Sequence, residues 1–216
     1  MNKAVVFDLD GTLIDSLPDI AEYVNLTLKS FGEKEIPYED IRKYIGNGAK
    51  NLVKRSFGNK LSEEDLAVRL KFYNEKYTAS GSPKTKLFVG IKELLFSLKE
   101  KGYKLGILTN KPQETTEGVY ETYLSEFGFD KVVGARSGVK IKPDPSALYE
   151  ILDELGVKPE NAYFIGDGET DVQTAINAGA NGVSVLWGYR DKDQLLDAGA
   201  KVFAKTPEEL LNIICL

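Results

Sequence analysis

Short apolar blocks recur along the chain with little polar alternation: Ala4–Phe7, Leu105–Leu108, Val132–Ala135, Ala162–Ile165, Val183–Leu186 and Val202–Ala204. Each has the length of a strand. Continuous runs of Val, Ile, Leu and Phe suit parallel strands covered on both faces. Between the later blocks, helical patterns run over Ile91–Lys101, Glu114–Phe127, Ser146–Leu155 and Thr170–Ala178. Gly102, Gly128, Gly156 and Gly179 stand just past these segments, where a helix C-terminus takes a left-handed residue. Strands and helices in alternation predict an α/β fold with a doubly wound parallel sheet.

The stretch from about Asp15 to Gly81 breaks the alternation. It holds no strand pattern, and its periodicity predicts four helices, over Pro18–Ser30, Tyr38–Tyr44, Ala49–Phe57 and Glu63–Ala79. Leu66, Leu70, Tyr73 and Tyr77 fall on one face of the last. Ser80-Gly81-Ser82-Pro83 reads as a linker back to the sheet. The expected organisation is therefore a core formed by residues 1–14 and 82–216, with a helical unit of residues 15–81 inserted after the first strand.

Composition narrows the chemistry. The 216 residues carry no histidine, which excludes Ser-His-Asp and Cys-His catalysis and every His-ligated metal site. The single cysteine, Cys215, excludes an internal disulfide and is expected to be a small buried apolar group. A net charge of −5 argues against a nucleic-acid binder. No apolar run reaches the ~20 residues of a membrane span, and the first residues lack a signal-peptide pattern, so a cytoplasmic location is expected. Carboxylates, lysines, hydroxyls and hard metal ions are left to do any chemistry.

Open parallel sheets bind ligands at the carboxyl ends of their strands, and four predicted strand ends lead into polar clusters. The first is Asp8-Leu9-Asp10-Gly11-Thr12 and the second Thr109-Asn110-Lys111. Near the third lies Lys140-Ile141-Lys142-Pro143, and the fourth runs Gly166-Asp167-Gly168-Glu169-Thr170-Asp171. Each has an ordinary reading in isolation: turn acids, helix caps, a solvated lysine. Brought to one sheet edge, Asp8, Asp10, Asp167 and Asp171 would repel strongly without a cation. An EF-hand starting at Asp8 is excluded, since its sixth and twelfth positions are Leu13 and Asp19. A hard ion with oxygen ligands, Mg²⁺ above all, would relieve the repulsion and bridge to a phosphate.

Asp8-Leu9-Asp10-Gly11-Thr12, Thr109-Asn110, Lys142-Pro143-Asp144-Pro145 and Gly166-Asp167 through Asp171 together resemble the four motifs of the haloacid dehalogenase-like hydrolase superfamily, in order and spacing. The resemblance implies a Rossmann-like core with a helical cap inserted after the first motif. It implies Asp8 as nucleophile forming an aspartyl-phosphate and Asp10 as general acid and base. Mg²⁺ would be held by Asp8, the Asp10 backbone carbonyl and Asp167, with Asp171 in support. Thr109, Asn110 and Lys142 would hold the phosphoryl group. Gly168 stands where many relatives carry Ser or Thr.

Within that superfamily, Thr109-Asn110-Lys111-Pro112 and the loop Tyr44-Ile45-Gly46-Asn47-Gly48-Ala49 are similar to the phosphoglycolate phosphatase group. Gly46, Asn47 and Gly48 precede a predicted helix, whose N–H groups favour an anion. Lys50 and Arg55 add charge nearby and are expected to help bind a substrate carboxylate; a plain interhelical turn is the alternative. The expected partner is a small anionic phosphate ester, with no nucleic acid or membrane, and the chain is expected to be a monomer or homodimer. A pyrophosphatase, a sugar-phosphate phosphatase or a β-phosphoglucomutase-like enzyme are rival readings, the last disfavoured by the missing histidine. A non-enzymatic phosphate-binding scaffold is a further alternative.

Overall fold

The computed structural model describes residues 3–215. The chain opens with β1 (Ala4–Phe7), the two-residue strand β2 (Ile14–Asp15), and helices α1 (Leu17–Ser30), α2 (Tyr38–Tyr44), α3 (Gly48–Ser56) and α4 (Glu63–Ala79). It continues through β3 (Lys86–Leu87), α5 (Ile91–Glu100), β4 (Lys104–Pro112), α6 (Gln113–Tyr123), β5 (Lys131–Ala135), α7 (Ser146–Leu155) and β6 (Ala162–Gly166). Helix α8 (Glu169–Ala178), β7 (Asn181–Val185), α9 (Lys192–Asp197), β8 (Phe203–Ala204) and α10 (Pro207–Cys215) complete it.

Six strands form one sheet in the order β5-β4-β1-β6-β7-β8, with every neighbouring pair parallel. This is a Rossmann-like α/β architecture. Successive side chains of β1 point to opposite faces. Val5 and Phe7 join one buried cluster with Leu94, Leu95 and Leu98 of α5 and Leu210 and Ile214 of α10. Ala4 and Val6 join the other, with Leu148, Ile151 and Leu152 of α7 and Ala175 and Ala178 of α8. Both faces of the sheet are covered, which explains the unbroken apolar runs. In the register of β1, Phe7 lies opposite Ile107 of β4 and Ile165 of β6. Asp8, Thr109 and Asp167 therefore emerge almost level at one edge.

Helices α1–α4 bury a cluster of their own, built on Leu17, Ile20, Val24, Leu28, Ile41, Leu52, Val53, Leu66, Tyr73 and Tyr77. The chain enters and leaves this unit through the short antiparallel pair β2–β3, where Ile14 lies opposite Leu87. Fully buried Asp19 ties the entry to the return: its carboxylate accepts bonds from the Lys84 N–H at 3.0 Å and the Thr85 hydroxyl at 2.7 Å. Apolar blocks of strand length cannot reveal a pair two residues long, so the sequence pattern does not show β2 and β3.

Other differences are local. Helix α6 stops at Tyr123, because Leu124 leaves helical backbone at φ −129°, and a separate 3₁₀ turn covers Ser125–Phe127. Cys215 is exposed, a correction to the buried position expected for it; α10 buries Leu210 and Ile214 instead. Among the described residues no helix is long and apolar enough to cross a membrane.

Candidate active site

Asp8 follows β1 directly, and its N–H donates to the Ile165 carbonyl at 2.8 Å, which holds the start of the loop against β6. Gly11 follows with φ +86°, a left-handed turn that also clears space: a Cβ there would sit 2.3 Å from Asp167 Oδ2. Gly188 clears the opposite side, where a Cβ would meet the Asp167 Cβ at 2.3 Å. Gly166 does the same for Asp171. Glycine is thus required on three sides of the acids that follow β6.

The result is a buried cluster. Asp8, Asp167 and Asp171 each offer a carboxylate oxygen within 4.8 Å of the others. Lys142, itself only 3% exposed, donates to Asp8 Oδ1 at 2.8 Å and Asp171 Oδ1 at 2.6 Å. Asp171 Oδ2 accepts the Gly168 N–H at 2.9 Å, so the helix-capping role is also realised, on the carboxylate's other oxygen. Asp167 accepts from the Tyr189 N–H at 2.7 Å and the Thr12 hydroxyl at 3.3 Å.

Three acids against one ammonium leave the cluster short of positive charge. Burial, then repulsion from Asp171, pushes the Asp8 carboxyl up to about 8 despite Lys142. The same causes push Asp167 up to about 7. Burial alone would lower Lys142, but Asp171 and Asp8 outweigh it and hold the ammonium above the ordinary lysine range. Dense buried carboxylate oxygen, cleared of side chains by glycine, is a donor set for a hard divalent cation.

Asp10 stands apart from this group. Its carboxylate takes the Lys111 ammonium on both oxygens, at 2.9 and 3.1 Å, and the Ser16 hydroxyl at 2.5 Å. Lys111 also donates to the Tyr77 hydroxyl at 2.9 Å. Burial would depress Lys111, but Asp10 and Tyr77 raise it further. Asp8, Asp10, Thr109, Asn110 and Lys111 form one wall of a narrow cleft with about 60 Å³ of open volume. Ile20, Ile45, Gly46, Gly48, Leu52, Tyr73 and Tyr77 of the helical unit form the other.

Not every expected residue reaches the cleft. Lys50 turns away and pairs with Glu63 at 2.8 Å on the surface. The part of α3 that faces the cleft ends at Leu52, so Arg55, beyond it, does not line the cavity. Nearness in sequence to the glycine loop does not put a helix side chain on the loop's face. Asn47 stands at the N-cap position of α3, and its carbonyl accepts from the Asn51 amide at 2.8 Å. Asn110 is at the cleft, but its side chain is committed. It donates to the carbonyls of Gly46 and Lys142 at 3.0 and 3.1 Å and accepts the Lys142 N–H at 2.9 Å. It is a strut between the two walls and the lysine. Thr109 accepts the Lys111 N–H at 3.2 Å and keeps its own hydroxyl hydrogen for a ligand.

Two residues that sequence reasoning missed follow β7. The Tyr189 hydroxyl accepts the N–H groups of Ser16 and Leu17 at 2.9 and 3.1 Å and donates to Asp15 at 3.2 Å. Buried Arg190 pairs with Glu169 and donates to the carbonyls of Arg42, Lys43 and Ile45, where α2 ends. Trp187, beside them, donates to the Thr12 carbonyl at 3.0 Å. The sheet-edge rule, applied to the fifth strand as it was to the first four, is the signal that pointed there.

Comparison with known proteins agrees with this geometry. Residues 5–185 match the profile of the haloacid dehalogenase-like hydrolase family. The phosphoglycolate phosphatase of Mannheimia succiniciproducens is 32% identical, with 98% of each chain covered. That of Aquifex aeolicus is 35% identical over 87% of this chain and 86% of its own. The crystal structure of a predicted phosphoglycolate phosphatase from Haemophilus somnus superposes with a TM-score of 0.89 at 28% identity, covering 98% of this chain and 97% of that one. This chain belongs to the haloacid dehalogenase-like hydrolase family, and its relatives and fold place it among the phosphatases of that family.

Proposed function

We propose that this phosphatase hydrolyses 2-phosphoglycolate, a two-carbon phosphate monoester, through an aspartyl-phosphate on Asp8 with Mg²⁺ as cofactor. The observation that carries the reading is the buried, charge-deficient cluster of Asp8, Asp167 and Asp171, of which Asp8 lines the cleft. Asp8, the Asp10 backbone carbonyl and Asp167 would hold the ion, with Asp171 behind them. When bound, Mg²⁺ supplies positive charge against which the phosphoryl oxygens and the Asp8 carboxylate come together.

The side chains do the rest. Lys142 fixes one oxygen of Asp8 and leaves the other to attack phosphorus. As the new Asp8–phosphorus bond forms, the bond from phosphorus to the ester oxygen breaks, and Asp10 delivers a proton to that oxygen. Water then attacks the phosphorus of the aspartyl-phosphate, Asp10 takes its proton, and inorganic phosphate leaves with the Asp8 carboxylate restored. Splitting one displacement into two is the gain of a carboxylate nucleophile. Thr109 and Lys142 supply donors to the phosphoryl oxygens, since phosphoryl transfer depends on positioning and charge more than on covalent assistance. Helices α1–α4 act as a cap that keeps bulk water out while the acyl phosphate exists.

The narrow cleft favours a small ester over a hexose phosphate. The test is kcat/KM with Mg²⁺ across 2-phosphoglycolate, pyrophosphate, and glucose 1- and 6-phosphate. The expected result is a clear maximum at phosphoglycolate. A preference for pyrophosphate or a hexose phosphate overturns the substrate reading and leaves the phosphatase chemistry standing.

A further inference from the structure

The cleft brings beside Asp10 one buried cation that the mechanism above leaves without a role. Lys111 is the penultimate residue of β4, directly after the Asn110 strut. Its side chain is 4% exposed, and its ammonium makes three contacts: both oxygens of Asp10 and the Tyr77 hydroxyl. The same ammonium lies 4.7 Å from the centre of the Tyr77 ring. Lys142 is deeper and engaged with Asp8 and Asp171, so Lys111 is the one cation among the described residues that line the cleft. The facing wall offers Ile20, Ile45, Leu52 and Tyr73.

This placement has a consequence for any substrate that carries a second anion. A carboxylate pressed into an apolar, water-poor cleft is strongly disfavoured unless a cation meets it. Asp10 must lie within hydrogen-bond reach of the leaving oxygen if it is to protonate it. In 2-phosphoglycolate the carboxylate carbon is two bonds from that oxygen, so its oxygens lie within about 3–4 Å of it. Lys111, already bonded to Asp10, is thus one hydrogen bond from where this carboxylate must sit. A longer acid would carry its charge past the ammonium, and a neutral ester would leave it bonded to Asp10 alone.

We propose that Lys111 is the specificity-determining residue that reads the substrate carboxylate, giving up one Asp10 oxygen to bind it while the Tyr77 hydroxyl holds the ammonium in place. The proposal rests on the phosphoglycolate reading given above. Lys111 then serves two ends: it orients Asp10, which every ester needs, and it pairs with the carboxylate, which only the acid substrate has. Tyr77 belongs to α4, so the reading is completed only with the helical unit in place over the cleft.

Steady-state kinetics with 2-phosphoglycolate and with ethyl phosphate, which keeps two carbons and lacks the carboxylate, separate the two roles. Lys111→Met keeps the apolar stem and removes the charge. The expected result is a KM for phosphoglycolate raised about 10²-fold, a KM for ethyl phosphate within about threefold of wild type, and one shared, smaller drop in kcat. Lys111→Arg restores charge and should recover part of the phosphoglycolate KM. Tyr77→Phe should shift the same KM in the same direction by a smaller factor. A wild-type enzyme with no preference for phosphoglycolate over ethyl phosphate overturns the substrate reading, and this proposal with it. A preference that is present in wild type and survives in both Lys111→Met and Lys111→Arg overturns this proposal alone, and so do equal losses on the two esters.

Discussion

The two walls of the cleft are built on opposite principles. The sheet wall concentrates charge: three buried carboxylates share one ammonium, and glycine is required where a Cβ would touch them. The helical wall is nearly free of charge and presents Ile45, Leu52, Tyr73 and Tyr77. Lys111, Asn110 and Arg190 reach from the first wall to the second, Lys111 through a tyrosine hydroxyl, Asn110 through the Gly46 carbonyl and Arg190 through the carbonyls at the end of α2. The difference teaches a division of labour. The floor is held in an unfavourable charge state that a divalent cation would relieve, whereas the roof offers a largely apolar surface.

The largest effect is expected at the floor. Asp8→Asn keeps the volume, leaves Lys142 paired with Asp171, and removes the proposed nucleophile. Turnover should fall at least about 10⁴-fold, and no acid-stable phosphoenzyme should be trapped on quenching. Because one of three mutually repelling acids is gone, the metal-free melting temperature should hold or rise. A variant with wild-type kcat would show that the carboxylate cluster is not the reacting centre.

The next effect is in stability. Both Asp8 and Asp167 are held above the ordinary carboxylate value of 3.8, at about 8 and about 7. Between these limits the folded protein binds more protons than the unfolded chain, so stability is highest in acid and is lost as pH rises through the folded values. Metal-free protein should therefore melt at lower temperature at pH about 8 than at pH about 5. Added Mg²⁺ should raise the melting temperature, and more at the higher pH, because in acid it competes with protons for the same oxygens. Gly188→Ala, which forces a Cβ against Asp167, should erase most of that shift. An Mg²⁺ shift equal at both pH values would remove the linkage between the ion and these acids.

The same contrast governs what could be read from the chain. The floor was legible because it depends on a local rule: residues following a buried parallel strand meet at one sheet edge. Asp8, Lys142, Asp167 and Asp171 are where that rule puts them. The helices of the roof were legible as helices, α2 and α4 to the residue, since their periodicity is local too. Their charge partners were not. Lys50 beside a glycine loop looked like a substrate ligand, but its partner Glu63 comes from the start of another helix. Lys111 stood inside a recognised motif without a role, because its burial depends on Tyr77, 34 residues away. Asn110 and Arg190 act on backbone carbonyls, and a carbonyl leaves no mark in a sequence. Long-range polar pairing was the part that strand and helix patterns do not encode.

The smallest effects belong to the roof and its fastening. Arg190 satisfies carbonyls at the end of α2, where a cation is favoured, and a third core residue, Thr170, reaches the Gly46 carbonyl at 3.5 Å. Arg190→Met removes one fastening and leaves the Asn110 strut. The helical unit should open more readily, so kcat/KM should fall about 3–10-fold, with faster amide exchange over α2 and the Ile45–Gly48 loop and an unchanged Mg²⁺ shift in melting temperature. Lys50→Ala, by contrast, breaks only an exposed pair, so its KM for phosphoglycolate should stay within about twofold of wild type. A large KM change at Lys50 together with none at Arg190 would mean that the glycine loop binds substrate through its own helix, and that the roof is more than a fastened apolar lid.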